Sequence, residues 1–393
     1  MKNLLAATAV GALCAGAASA EDVKLGILFG FTGPIESLTP SMAAGAEAAM
    51  AEVNASGLFL DGSTVSSVRG DSTCIDAAAA TAAAEKMVTS DGVSGIIGGD
   101  CSGVTTAVLT NVAVPNGLVM VSPSATSPAL STIEDNGLFF RTSPSDAREG
   151  EIAADIMLER GFTSAALTYS NSDYGKGLAE AIQSAYEAKG GKITISAAHE
   201  DGKADYSAEV ASLASAGGDI LIVAGYLDQG GAGVIRASVD TGAFSVYELP
   251  GGMIGDNLTV NVPTGLEGSF GQVPGNDSPG LKTLGELSGG AFDVNSPYTP
   301  ESYDAAALIM LAMQAAGSTK SADYAAKIMD VANAPGEPIQ PGELAKALQI
   351  LKDGGDIDYV GGSAVELIGP GESAGNYREI EVKDNAITTV KYR

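Results

Sequence analysis

The chain has 393 residues, with 21 Lys and Arg against 48 Asp and Glu and a formal charge of −27. That length is more than one hydrophobic core usually serves, so two domains are expected. The acidic balance, without any Lys/Arg-rich run, argues against nucleic acid or an anionic membrane as partner and leaves a small ligand open.

The first residues read as a leader. Met1, Lys2 and Asn3 precede an apolar run from Leu4 to Ala17, and Ala18-Ser19-Ala20 offers a small-residue cleavage site, so residues 1–20 are expected to be a signal peptide and the mature chain to begin at Glu21. The run of roughly 14 residues is shorter than the ~20 that a membrane-spanning helix needs. Leu13 stands before Cys14, where a lipid anchor needs a small residue, so plain cleavage and release into a periplasm are expected. Losing Lys2 turns −27 into −28, and losing Cys14 leaves Cys74 and Cys101 as an even pair. In an oxidising compartment the pair is expected to form a disulfide, closing a loop of about 28 residues and constraining the unfolded chain by about 3.5 kcal/mol. Two cysteines with only His199 at hand do not complete a usual zinc set, so no metal is expected.

Past the leader, strand-like and helix-like segments alternate, as in parallel sheets covered by helices. Val23 to Gly30 is a short apolar run. Thr39 offers an N-cap, Pro40 suits the first helical position, and Met42 to Asn54 is Ala-rich and helical. Strand Thr64 to Arg69, helix Ile75 to Thr89, strand Val93 to Ile97, helix Gly103 to Asn111 and strand Leu118 to Ser122 complete one α/β domain. A second series follows Arg141-Thr142-Ser143-Pro144: helix Arg148 to Arg160, strand Ser164 to Tyr169, helix Gly175 to Ala188, strand Lys192 to Ala198, helix Ser207 to Ala214 and strand Ile220 to Ala224. Its strands are short and apolar enough to be buried on both faces. Helices Pro300 to Ala316, Ser321 to Val331 and Pro341 to Leu351 come next, then a hairpin-like tail, Arg378 to Tyr392, around Asp384-Asn385. Two doubly wound units in sequence leave a cleft between them.

Enzyme templates find little support. There is no G-x-x-x-x-G-K-[ST] and no clean G-x-G-x-x-G after a strand. Gly99-Asp100-Cys101-Ser102-Gly103 puts its serine one place late for a nucleophile elbow, and His199 is expected in a charged, exposed turn. No enzymatic activity and no cofactor are expected. Polar small residues at strand ends stand out instead. Ser102 follows one strand and opens a helix, where a hydroxyl and free N–H groups suit a carboxylate. Ser124-Ala125-Thr126-Ser127-Pro128 repeats the arrangement after the next strand. Ser102 and Thr126 taken singly also read as ordinary helix caps. Tyr174 and Tyr226 follow strands of the second series, where a ring can cover an apolar group and a hydroxyl meet a polar one. Asp228, Asp256 and Glu301 are the acids that could balance a ligand ammonium.

Thr32-Gly33-Pro34, Asp71-Ser72-Thr73-Cys74, Gly99-Asp100-Cys101-Ser102, Pro123 to Pro128, Asp173-Tyr174-Gly175-Lys176-Gly177 and Gly225-Tyr226 occur in this order over nearly the whole mature chain. Together they resemble the periplasmic leucine/isoleucine/valine-binding proteins, the ligand-capturing components of ABC importers. The resemblance implies a type I periplasmic binding fold: two α/β lobes joined by a three-strand hinge, with chain exchanges near residues 145, 272 and 353. The first lobe would then hold residues 21–145 and 272–352, and the second 146–271 and 353–393. It also implies that Ser102 and Thr126 bind an α-carboxylate, that the backbone around Ser124 and Ala125 helps hold the ammonium, that Tyr174 and Tyr226 close from the second lobe, and that Cys74 pairs with Cys101. The implied partners are an amino acid, with branched-chain or other aliphatic side chain, and permease subunits in the inner membrane, the protein acting as a monomer. Two positions depart from the pattern. Leu38 stands where leucine-binding members carry a tyrosine, and Pro250-Gly251-Gly252 where they carry an acidic ammonium partner, for which Asp256 is the expected substitute. Related members take amides, urea or aromatic acids, so a ligand without an α-ammonium, or a role as a ligand sensor, is the alternative.

Overall fold

The computed structural model describes residues 20–393; the expected leader and Cys14 lie outside the described residues. Two seven-stranded sheets organise the chain. In the first, the strands run in the order Leu367–Ile368, Glu372–Ser373, Phe139–Pro144, Met120–Ser122, Ile96–Gly98, Asp22–Phe29, Thr64–Asp71. All pair in parallel except Leu367–Ile368, which runs against Glu372–Ser373. The second has the order Ala386–Tyr392, Tyr377–Lys383, Phe270–Pro274, Tyr247–Leu249, Ile220–Ala224, Ser164–Ser170, Lys192–His199. Its last five strands are parallel, and the C-terminal hairpin adds two antiparallel strands at one edge. Strands such as Ile220–Ala224 are buried along their whole length because helices cover both faces.

The chain crosses between the lobes three times, after Pro144, after Pro274 and after Ser373. The third crossing corrects the expected boundary near residue 353. Residues 353–373 stay with the first lobe, where Ile357–Tyr359 pairs with Glu337–Ile339 and Glu372–Ser373 joins the first sheet beside Phe139–Pro144. Arg141 fixes that junction. Its guanidinium, 1% exposed, bonds the Glu372 carboxylate, Ser131 Oγ and the Ala125 and Ser127 carbonyls.

Local rules account for most of the elements. Pro40 opens helix Thr39–Ser56, and Gly57 closes it in the left-handed conformation. Asp76 caps helix Ala77–Lys86 by accepting from Ala78 N and Ala79 N. Helix Thr299–Ala316 is buried all round through Gln314 and packs against Thr39–Ser56 in the core of the first lobe. Cys74 and Cys101 form a disulfide. Helix Gly230–Thr241 was not expected, since Gly230, Gly231 and Gly233 weaken any helical reading. Contact explains two of these glycines: a Cβ at 231 would sit 2.2 Å from Met253 Sδ, and one at 233 would sit 2.4 Å from the Tyr206 ring. His199 is not in an exposed turn. It ends strand Lys192–His199 at 1% exposure, with Nδ1 2.9 Å from Thr168 Oγ1, and burial pushes its pKa down to about 4. Among the described residues, no helix is long and apolar enough to cross a membrane.

Candidate functional site

A narrow cavity lies between the lobes. The first lobe contributes Ile35, Leu38, Asp100, Cys101, Ser102 and Ser124, the second Tyr174, Tyr226 and Gly252, and Tyr298 enters from the segment that follows the second crossing. The first-lobe residues come from loops at the carboxyl ends of parallel strands, where a doubly wound sheet opens its crevice. Ser102 begins helix Ser102–Val108, and its Oγ accepts from Ser127 N at 3.1 Å, tying the two serine-rich turns together. Ser124 Oγ donates to Asp100 O at 2.9 Å.

Ala125 and Thr126 do not line the cavity but sit behind it. Ala125 N donates to Ser122 Oγ at 2.9 Å and its carbonyl accepts from Arg141, so both its backbone groups are used within the first lobe. The Thr126 hydroxyl is buried without a protein partner, and its carbonyl accepts from Asp146 N at 2.8 Å.

The tyrosines form the opposite wall. Tyr174 opens helix Asp173–Ala188 and Tyr226 follows strand Ile220–Ala224; their rings stack with centroids 5.0 Å apart. Gly252 N donates to Tyr174 Oη at 3.0 Å, an approach that a side chain at 252 would obstruct, since its Cβ would lie 2.7 Å from that oxygen. Burial raises the pKa of Tyr174, Tyr226 and Tyr298 well above the usual phenol range, so all three are neutral hydrogen-bonding groups.

Of the acids, Asp256 is exposed and outside the cavity, so the expected substitution at the ammonium position is not realised in this geometry. Asp228 is engaged across the lobes: it accepts from Ser37 N at 2.9 Å, its own N–H donates to Pro34 O at 2.9 Å, and Asn257 Nδ2 donates to its Oδ1 at 3.1 Å. Glu301 is buried beside a separate pocket that includes Arg378, and burial pushes its pKa up to about 8. Asp100 lines the cavity, but its carboxylate accepts from Gly30 N and Ser72 Oγ and holds first-lobe loops together. Ile35, Asp100 and Tyr298 were missed in the sequence. Asp100 could have been found, because it lies between a strand end and Ser102. Tyr298 gives no such signal, since its place depends on a left-handed backbone (φ 62°) just before helix Thr299–Ala316.

Residues 22–343 match the family model described as periplasmic binding protein. The chain belongs to this family. It is 30% identical over 332 residues to the Leu/Ile/Val-binding protein homolog 1 of Brucella melitensis, covering 82% of this chain and 87% of that one. Its fold is similar to that of a leucine-binding protein from Thermotoga maritima, with a TM-score of 0.78 at 20% identity over 94% of this chain and 98% of the other. A Rhodopseudomonas palustris solute-binding protein in complex with 4-hydroxybenzoate is also similar, with a TM-score of 0.76 at 19% identity over 95% and 97% of the two chains. Membership accounts for two α/β lobes meeting at a shared cavity. Among the described residues there is no group of three or more His, Cys, Asp and Glu side chains that could hold a metal ion.

Proposed function

We propose that the protein is the periplasmic substrate-binding component of an ABC importer and captures an amino acid with an aliphatic, most simply branched, side chain. The observation that carries the reading is the cavity itself: hydroxyls at the carboxyl ends of first-lobe strands face two stacked tyrosines of the second lobe. In the proposed cycle the ligand carboxylate meets Ser102 and Ser124 on the open first lobe. The second lobe then swings in about the three crossings, brings Tyr174 and Tyr226 over the side chain, and excludes water. Ile35 and Leu38 supply apolar contact, Leu38 standing where leucine-binding members of the family carry a tyrosine. The closed form, a monomer released by cleavage after Ala20, would be what the permease recognises. The role is binding rather than catalysis, in keeping with relatives named as binding proteins.

A second reading has a specific observation behind it. Position 251 carries no acidic side chain, and a similar solute-binding protein holds 4-hydroxybenzoate, so a carboxylate without an α-ammonium is the alternative ligand class.

A thermal-shift panel of amino acids, amides and small carboxylates, run on protein refolded to remove carried-over ligand, separates the two. A ligand at 100 times its Kd adds about 2.7 kcal/mol, which raises Tm by roughly 5 to 11 °C for domains of this size. Shifts confined to aliphatic L-amino acids support the first reading. Shifts from carboxylates lacking an ammonium replace it with the second.

A further inference from the structure

Charge does not balance where the chain first enters the second lobe. Asp146 and Glu149 lie in the opening turn of helix Asp146–Glu159, and neither is exposed. Groups from the neighbouring elements face them: Arg141 from strand Phe139–Pro144, Gln272 from Phe270–Pro274, Glu248 from Tyr247–Leu249, and the phenols of Tyr174, Tyr226, Tyr298 and Tyr377. Arg141 is the cation in this set, and its guanidinium is already used by Glu372, Ser131 and two carbonyls. Both carboxylate oxygens of Asp146, Oε2 of Glu149 and the Thr126 hydroxyl are left without a well-formed hydrogen bond, with Thr126 and Glu149 close enough to the Asp146 carboxyl to bear on its proton. Buried carboxylates in that condition either keep a proton or await a cation.

The deficit lies behind the wall of the ligand cavity, which neither Asp146 nor Glu149 lines. Gly252 and Tyr298 line the cavity at this point. A Cβ built on Gly251 would lie 2.6 Å from Tyr298 Oη and 3.7 Å from Glu149 Oε1, so Tyr298, a cavity-lining residue, packs where a side chain at 251 would go, with Glu149 next to it. Gly251 N and Gln272 Nε2 donate to Glu149 Oε1 at 2.9 and 3.1 Å and hold it there, while Oε2 is left over.

We infer that the Asp146–Glu149 pair, buried behind the cavity wall at Gly252 and Tyr298, is the counter-charge for the ligand's ammonium group. The inference rests on the amino-acid reading above and assigns the end of the ligand that Asp256, Asp228 and Glu301 do not serve. It makes the site selective for a ligand with an anionic end at Ser102 and a cationic end at the hinge. A carboxylate without an ammonium leaves the pair uncompensated. Burial holds both carboxyls above the usual carboxylate range, and a ligand cation brought near them favours their ionised forms.

The test is titration calorimetry on the refolded mature protein with two probes that share side chain and carboxylate, L-leucine and 4-methylpentanoate. Wild type is expected to prefer L-leucine. Glu149→Gln is expected to weaken L-leucine by about 30-fold or more while changing 4-methylpentanoate by less than about threefold. Equal affinity of wild type and Glu149→Gln for L-leucine overturns the inference alone, as does an equal loss for both probes. Wild type that takes 4-methylpentanoate more tightly overturns the amino-acid reading as well. Should Glu149→Gln fail to fold by circular dichroism, Asp146→Asn titrated with the same two probes decides: a loss confined to L-leucine supports the pair, and no loss or an equal loss for both refutes it.

Discussion

Ser102 serves both fold and site with one hydroxyl, accepting from Ser127 N while facing the cavity. Ser102→Ala is therefore expected to cost about 1 kcal/mol of stability and to weaken a carboxylate ligand by about 10-fold or more, since hydrogen bonds to charged groups are worth roughly 1.5–3 kcal/mol. Denaturant unfolding and calorimetry read the two effects separately. Asp256→Asn, on an exposed side chain away from the cavity, is expected to leave affinity unchanged within about twofold. Arg141 belongs to the same scale. Arg141→Met strands Glu372 in a buried site and is expected to lower stability by about 3–5 kcal/mol; a loss under about 1 kcal/mol in urea denaturation would contradict the account. Ser102, Ser124, Tyr174 and Tyr226 were legible in the sequence because polar or aromatic residues just past apolar runs mark the crevice of a doubly wound sheet. Ala125 and Thr126 could be read as part of the turn but not as lying behind the cavity, because that depends on Ser122 and Arg141 taking the Ala125 backbone.

At the scale of elements, the alternation of strands and helices was readable because strands such as Ile220–Ala224 are unbroken apolar runs and helices such as Thr39–Ser56 and Ala77–Lys86 open on their own proline or cap. The tail hairpin was readable too: Asp384 and Asn385 both adopt positive φ in a two-residue turn, which that residue pair favours. Two features were not readable. Helix Gly230–Thr241 is glycine-rich for packing reasons that local propensity cannot express, and the two-residue strands Leu367–Ile368 and Glu372–Ser373 are too short to show a period, which moved the expected third crossing some twenty residues early. The interlobe contact at Asp228 was likewise hidden, since Ser37 lies 191 residues away in sequence. It closes the lobes without lining the cavity. Asp228→Ala is expected to raise the ligand dissociation rate by about tenfold, the worth of one to two hydrogen bonds, measured by stopped-flow competition. An unchanged rate would mean that closure does not depend on this contact.

For the molecule as a whole, buried acids set the pH dependence. Burial pushes Glu248 and Glu301 up to about 8 and Glu149 up to about 7, from an ordinary value of 4.5. Between those limits the folded state binds more protons than the unfolded chain, so the stability these groups contribute falls as pH rises from about 4.5 to about 8. Urea midpoints are expected to be higher near pH 5.5 than near pH 8.5. Glu248→Gln, which removes a carboxylate with neither oxygen partnered, is expected to flatten that trend and add about 1–3 kcal/mol at the higher pH. A midpoint that rises with pH would contradict this assignment.

The central claim is that a small ligand is held between the lobes, carboxylate toward Ser102 and side chain under Tyr174 and Tyr226. A crystal structure of the refolded protein with L-leucine tests it most directly. The account predicts density for one ligand in the interlobe cavity, its carboxylate within hydrogen-bonding distance of Ser102 Oγ and both tyrosine rings against its side chain. Ligand bound elsewhere, for instance in the pocket beside Glu301 and Arg378, or the reverse orientation with the ammonium on Ser102, would contradict it.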